Sequence, residues 1–171
     1  MDIQVLYSVN DIRDRVKQLG DMINNDYKED IVIIAVLKGS FIFMADLVRN
    51  IIIDNKMDFI DIKSYNKTHR GEITMNKDIQ LDITNKDIIV VEDIIDTGHS
   101  LKYIDDYLKQ KNCRSIQYCC LLDKKCKREV DIPIKYVGFE CEDKFVIGYG
   151  LDYDEKYRNL PYIGHVLNNS L

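Results

Sequence analysis

Between Asn10 and Ile23 the apolar residues Ile12, Val16, Leu19 and Ile23 recur at helical spacing among charges, which predicts an amphipathic helix with Asn10 as its N-cap. Ile31 to Leu37 is different in kind: an unbroken, largely β-branched apolar run bounded by Asp30 and by Lys38-Gly39. Such a run marks a strand buried on both faces, as in parallel sheets. Ser40 then stands as the N-cap of a helix with Phe41, Met44, Leu47, Val48 and Ile51 on one stripe, so 31–52 reads as strand, tight turn and helix. Residues 58–65 alternate as a strand, 66–77 are polar without an apolar period, and alternation resumes over 79–83. The middle stretch is expected to be a mobile loop anchored by strands, the kind that closes over ligands. A second buried run begins at Ile88 and ends in acids, Leu101, Ile104, Tyr107 and Leu108 mark a helix, and a strand starts at Ser115. Pro133 precedes a short strand, and the tail from Cys141 is rich in Gly and Tyr with no clear period. Repeated strand, helix, strand units predict an α/β domain with a central, mostly parallel sheet and right-handed crossovers.

Composition narrows the setting. With 171 residues and 20.1 kDa, 46% hydrophobic and 31% charged, the chain fits one domain over 1–171. Lys plus Arg is 24 against 29 for Asp plus Glu, a net charge of -5, which argues against a nucleic-acid-coating surface while leaving room for a local anion site. The apolar runs are too short to span a bilayer, and the N-terminus lacks a basic start followed by an apolar stretch, so a cytoplasmic, unexported protein is expected. Five cysteines without a C-x-x-C pair, and only three histidines, argue against a disulfide framework or structural zinc. Cys119-Cys120 on a strand read as small buried apolar residues.

In open α/β sheets ligands bind beyond the carboxyl ends of the strands. Those ends present Lys38-Gly39, Ser64-Tyr65, Glu92-Asp93 through Ser100, and Asp123-Lys124, which should face one crevice. The segment VVEDIIDTGHS from Val90 is the richest: a buried strand delivers Glu92 and Asp93, then Asp96, then Thr97-Gly98-His99-Ser100 at a helix start. Backbone N–H groups and the Thr97 and Ser100 hydroxyls make a phosphate cradle there. The carboxylates would repel a bare phosphate and suit sugar hydroxyls or hydrated Mg2+ instead. A phosphorylated sugar meets both needs. The same residues also have a plainer reading, in which the acids end a strand and a hydroxyl caps a helix. No Lys of a G-x-x-x-x-G-K-[ST] loop is present, which excludes a Walker-type nucleotide triphosphatase.

This segment resembles the phosphoribosyl-diphosphate (PRPP) motif of type I phosphoribosyltransferases. With LKGSFIFMADL from Leu37, KSY from Lys63, LLDKK from Leu121 and VGFECEDKFVIGYGLDYDEKYRNLPYIG from Val137, nearly the whole chain is similar to the bacterial hypoxanthine (hypoxanthine-guanine) phosphoribosyltransferases. The resemblance implies a parallel core sheet over about 10–140, a lid loop at about 64–78, and a small hood from both chain ends, about 1–9 plus 141–171. It implies Mg2+-dependent transfer of 5-phosphoribosyl from PRPP to hypoxanthine or guanine, giving IMP or GMP and pyrophosphate, in a homo-oligomer (dimer or tetramer) with no nucleic-acid or membrane partner.

Position by position, Glu92 and Asp93 match the acids that hold the ribose hydroxyls, directly or through metal-bound water. Asp96 matches the proposed general base near purine N7, and Asp96, Thr97, Gly98, His99 and Ser100 match the 5-phosphate loop. His99 is read as a surface residue whose backbone alone takes part. Lys38, Gly39 and Arg158 match pyrophosphate contacts, and Ser64 and Tyr65 the start of the lid. Lys124 matches the donor to the purine 6-oxo group, Phe145 the ring that stacks on the base, Val146 a backbone carbonyl that meets it, and Asp152 an acid beside metal and base. Glu92, Asp93 and Asp152 are thus the implied Mg2+ ligands. For Asp154 and Glu155 a solvated turn is an equal reading. A non-catalytic PRPP-binding regulator is the alternative, and retention of Ser64-Tyr65, Lys124 and Phe145 argues against it. A phosphoacceptor signalling domain would put acids at the end of the first buried strand, where Lys38-Gly39 stand. Adenine and pyrimidine enzymes of the same class are disfavoured by Lys124 and the KFVIGYGLDY tail.

Overall fold

Alternate residues of β2 (Ile31–Leu37) feed two separate cores in the computed structural model, which describes residues 2–64 and 73–167. Ile31, Ile33 and Ala35 pack with Ile12, Val16, Leu19 and Ile23 of α1 (Val9–Asp26) and with Phe43, Met44 and Leu47 of α2 (Phe41–Val48). Val32, Ile34 and Val36 join Leu101, Ile104 and Leu108 of α3 (His99–Lys109) on the other face. Full burial of each such aliphatic side chain contributes roughly 1.5–3 kcal/mol, which is why β2 contains no polar residue.

The sheet order is β4-β3-β2-β5-β6-β7. β3 (Asn55–Ser64), β5 (Asp87–Ile95), β6 (Ser115–Asp123) and β7 (Tyr136–Glu140) run parallel to β2 and to one another, and only β4 (Ile73–Lys77) is antiparallel. The four strand ends singled out above therefore lie along one edge of the sheet. A second sheet, β1-β9-β8, joins the two chain ends: β1 (Ile3–Tyr7) and β8 (Val146–Ile147) both pair antiparallel with β9 (Ile163–Val166). Tyr7 ties it to the carboxyl end of β7, stacking on Phe139 at 4.1 Å between ring centroids and donating its hydroxyl to the Glu140 carbonyl at 3.0 Å.

Several local expectations change. α1 is capped by Ser8, not Asn10: Ser8 Oγ accepts the Asp11 N–H while the Asp11 carboxylate accepts the Ser8 N–H at 2.8 Å, a reciprocal capping box that satisfies two groups at once. Ser40 does not cap α2 with its side chain, because its hydroxyl donates back to the Val36 carbonyl. α2 ends at Val48, and Phe41 stands 44% exposed off the buried stripe. Of the stretch read as loop, Ile73–Lys77 is a strand, while Tyr65 and the rest of the expected lid up to residue 72 lie outside the described residues. Residues 79–83 form no strand: Ile79 and Ile83 are buried as anchors of an irregular segment.

That segment is held by Asp58, whose carboxylate is buried in the middle of β3. Its Oδ2 accepts the N–H groups of Gln80 at 2.6 Å and Leu81 at 2.8 Å, Oδ1 accepts the Phe59 N–H at 2.8 Å, and Lys77 Nζ lies 3.6 Å away. Burial opposes ionisation here, but the three N–H donors and the Lys77 charge outweigh it and hold the carboxyl below its ordinary value. A lowered native value means stability that is present above the unfolded carboxylate range and lost as pH falls through the native value. Asp58→Asn is accordingly expected to lower unfolding free energy in urea at neutral pH by about 2 kcal/mol, with the gap to wild type narrowing below about pH 4; an unchanged midpoint at pH 7 would count against this role.

Candidate active site

Two turns meet at the centre of the sheet edge. The β2 turn, Lys38-Gly39, follows a cis Leu37–Lys38 peptide, and Gly39 lies so close to Asp93 that a Cβ there would sit 1.6 Å from the Asp93 Oδ2. On its other side Gly150 (φ 104°) packs against the Gly39 carbonyl, where a Cβ would approach to 2.0 Å. Both positions exclude any side chain, so the β2 turn, the β5 acids and the chain after β8 form one close-packed unit.

Asp93 shares its place with Glu92, which is buried at 8% exposure although it ends no helix and faces no salt-bridge partner among the described residues. Burial first, then the neighbouring Asp93 charge, pushes the Glu92 carboxyl well above its ordinary value. Burial likewise raises Asp93, against the pull of backbone N–H groups and of the more distant Arg158. Beyond them Asp96, Thr97, Gly98 and Ser100 line a cavity of about 120 Å³ that leads to the start of α3. Gly98 (φ 93°) is the residue from which α3 departs, and no side chain caps the helix. Asp96 Oδ1 is buried with no hydrogen-bond partner among the described residues. A buried acceptor left open in this way calls for a partner from beyond the described residues.

The floor of this loop is a device that the sequence did not announce. Arg128 pairs with Asp123, itself only 3% exposed, and donates from Nε to the Asp96 carbonyl at 3.2 Å. The N–H groups of Glu129 and Val130 both donate to the Thr97 carbonyl. In the sequence Arg128 is one charge of the run KKCKR, and only its five-residue offset from the strand end at Asp123 hinted at the pair. His99 is exposed and meets Glu129 at 2.8 Å, in keeping with a surface role.

Lys124 is buried at the carboxyl end of β6, its N–H donating to the Ile95 carbonyl at 3.0 Å and its Nζ 3.9 Å from Asp143. The 3-10 turn that follows, Lys125–Lys127, is clasped to the end of β7 by the Lys125–Glu140 pair and to the chain after it by the Lys127–Asp143 pair. Phe145 is half exposed and meets Tyr153 edge-on at 5.5 Å, while Val146 is buried in β8. Asp152 is held by its own neighbours. Its Oδ1 pairs with Arg158 at 2.9 Å and its Oδ2 accepts the Glu155 N–H. Arg158 also donates to the Gly150 carbonyl at 2.8 Å. Glu155 is more than a solvated turn: it bridges Lys38 and Arg158 on the rim of a cavity of about 550 Å³. Asp154 stays exposed. Of Ser64 only the backbone, ending β3, is described.

A parallel sheet whose central strand ends in buried acids, followed by an open turn at a helix start and roofed by a small sheet from both chain ends, defines the phosphoribosyltransferase class. A profile of the phosphoribosyl transferase domain matches residues 6–154. The chain is 42% identical over 171 residues to the hypoxanthine phosphoribosyltransferase of Haemophilus influenzae, covering 96% of each. It is 45% identical over 163 residues to the hypoxanthine-guanine phosphoribosyltransferase of Staphylococcus epidermidis, covering 94% of this chain and 91% of that one. A crystal structure of a hypoxanthine-guanine phosphoribosyltransferase from Bacillus anthracis superposes with a TM-score of 0.92 at 43% identity, covering 97% of this chain and all of that one. The chain belongs to the phosphoribosyltransferase family, in its hypoxanthine (hypoxanthine-guanine) branch.

Because burial raises the Glu92 carboxyl, its contribution to the fold is greatest when protonated and is lost as pH rises through the raised native value. Glu92→Gln, neutral at every pH, is expected to gain in Tm over the wild type as pH rises from about 4 to about 9. A Tm difference that stays flat across that range would remove the burial argument.

Proposed function

We propose that the chain transfers the 5-phosphoribosyl group of PRPP to hypoxanthine and guanine, releasing pyrophosphate, as a purine-salvage enzyme of the cytoplasm. The observation that carries this reading is the sequence of groups along one strand end: buried Glu92 and half-buried Asp93, then Asp96 with its Oδ1 unpartnered among the described residues, then the open turn at Gly98. It combines a site for sugar hydroxyls with a site for a phosphate in the order a ribose 5-phosphate requires. Among the described residues no helix is long and apolar enough to cross a membrane. Homo-oligomeric assembly, as dimer or tetramer, belongs to the same reading and rests on the likeness to this family.

The 5-phosphate is taken by the backbone N–H groups from Thr97 to Ser100 and by the two hydroxyls, aided by the N-terminal end of α3. Glu92 and Asp93 hold the ribose hydroxyls. As the bond from C1 to the diphosphate lengthens, positive charge grows on the ring, and two carboxylates in a water-poor setting stabilise it. Lys38, the Gly39 N–H and Arg158 hold the departing diphosphate. Lys124 donates to the 6-oxo group, Phe145 stacks on the base, the Val146 carbonyl meets its edge, and Asp96 takes the N7 proton as N9 attacks. Ser64 and Tyr65 would begin the lid that keeps water from the reacting carbon.

Mg2+ suits this donor set. Two carboxylates that burial drives toward protonation gain from a divalent cation beside them. Among the described residues no three His, Cys, Asp or Glu side chains form a ready cage. An ion there would be held by one or two of Glu92, Asp93 and Asp152 and otherwise by substrate oxygens and water. When bound, Mg2+ would neutralise charge on the diphosphate.

The direct test is base-dependent pyrophosphate release from PRPP with Mg2+, run with hypoxanthine, guanine, xanthine, adenine and uracil. Release with hypoxanthine or guanine but not with adenine or uracil is expected. PRPP binding in a calorimeter with no release from any base would favour the regulator. Lys124→Ala should raise KM for hypoxanthine at least tenfold, and survival of base affinity would sink the 6-oxo contact. Asp96→Asn is expected to lower kcat by about 10² while PRPP affinity changes little; unchanged turnover would exclude Asp96 as the base.

A further inference from the structure

The rim of the diphosphate site holds an acid where an anion's partners are wanted. A single oxygen, Oε2 of Glu155, lies 3.1 Å from Lys38 Nζ and 3.3 Å from Arg158 Nη2. Lys38 is on the turn after β2 and Glu155 is 117 residues later, on a segment that the Gly39–Gly150 contact already brings against that turn, so this one atom joins cations from both. The contact is not forced by burial, because both the Lys38 and Glu155 side chains are well over half exposed. Exposed pairs of this kind contribute only about 0.2–1 kcal/mol each, and a multiply charged ligand can replace them. Arg158 differs from Lys38. It is mostly buried, fixed by the Gly150 carbonyl and the Asp152 carboxylate, and so stays in place whichever anion meets its outer edge.

Glu155 is also delivered by an unusual piece of chain. Asp154 (φ 51°), Glu155 (φ 60°) and Tyr157 (φ 72°) all adopt left-handed backbone, a conformation that non-glycine residues hold only where surrounding contacts over-determine it. Asp154 and Glu155 are the central pair of a tight turn closed by reciprocal Tyr153–Lys156 backbone hydrogen bonds at 3.1 Å, and the Asp152 carboxylate accepting the Glu155 N–H at 2.9 Å fixes it further, so the backbone presents the Glu155 side chain at the rim without depending on it. Nothing in the core requires the Glu155 side chain. Its proximity to the two cations keeps the carboxylate below its ordinary value, so it is a full anion at neutral pH.

Resting on the diphosphate reading of Lys38 and Arg158 given above, we infer that Glu155 is an intramolecular stand-in for a diphosphate oxygen. It joins the two cations whenever no diphosphate is bound, yields them to the incoming substrate, and takes them back as pyrophosphate departs. Its effect on the reaction is to weaken diphosphate binding and speed product release. A carboxylate that simply positioned Lys38 for the ligand would have the opposite effect on affinity.

The experiment is calorimetric titration of the full chain with magnesium pyrophosphate. Glu155→Gln is expected to tighten pyrophosphate binding about three- to tenfold, to lower its inhibition constant by a like factor, and to reduce kcat if release limits turnover. Two further variants separate the bridge from a general change in charge. Asp154→Asn removes the same charge from the adjacent exposed residue, whose nearest cation is Lys156 at 3.9 Å, and should change affinity less than about twofold. In a Lys38→Met background the gain from Glu155→Gln should shrink, since one arm of the bridge is already gone. Unchanged or weaker binding by Glu155→Gln overturns the proposal, as does an equal gain from Asp154→Asn or a full gain without Lys38. Absence of pyrophosphate binding by the wild-type chain would instead overturn the reading of the site, and this inference with it.

Discussion

The close approach of Gly39 to the Asp93 carboxylate is the contact around which the site is organised. β2 and β5 are hydrogen-bonded neighbours, so the turns that leave their carboxyl ends must cross or touch, and here they touch with no room for a Cβ. Gly150 closes on the same turn from above. A backbone turn, the acid that follows β5's buried run and the chain after β8 are thereby locked in register, and the cations Lys38 and Arg158 are brought to one rim from residues 120 positions apart. A parallel sheet supplies the frame, since all its strand ends point the same way and neighbouring turns share one crevice.

Holding acids in such a place works against stability. Glu92 is buried with no cationic partner among the described residues and beside another carboxylate, an arrangement that folding alone would not favour. The surrounding structure offsets it through two well-filled cores on either side of β2 and β5. The Asp123–Arg128 pair beneath the Asp96 loop serves the same end, turning a run of surface-type charges into a support for the loop backbone. Asp58 does comparable work on the far side, where it organises the chain that returns from β4. In both places a buried carboxylate organises an irregular segment that has no ladder of its own: Asp58 accepts backbone N–H groups directly, and Asp123 holds the Arg128 guanidinium that donates to the Asp96 carbonyl.

Much of this was legible from residue order. The runs at Ile31 and Ile88 declared buried parallel strands because continuous β-branched stretches have no other stable home, and the acids and glycine after Val91 stood where a strand must hand over to a helix. The helices of residues 12–23 and 101–108 followed from their apolar spacing. Where local reading failed, two physical reasons recur. Alternation at 79–83 reflected anchoring of a loop by Asp58, which mimics the strand period without strand pairing. Ser40 had the residue type of a cap, yet the Val36 carbonyl offered its hydroxyl a better partner. The N-terminal strand was invisible to periodicity because half of it is exposed and its partner, β9, lies some 160 residues away.

The sequence by itself determined the fold class, the acidic strand end with its phosphate turn, and the family, because these rest on local pattern and on motifs that keep their order along the chain. Tertiary structure alone decided the rest: that Arg128 supports Asp96, that Asp152 pairs with Arg158, and that Glu155 spans Lys38 and Arg158. Contacts of this kind depend on which turns the sheet order brings together and on distances of a few ångströms, and neither is encoded in the spacing of residues along a chain.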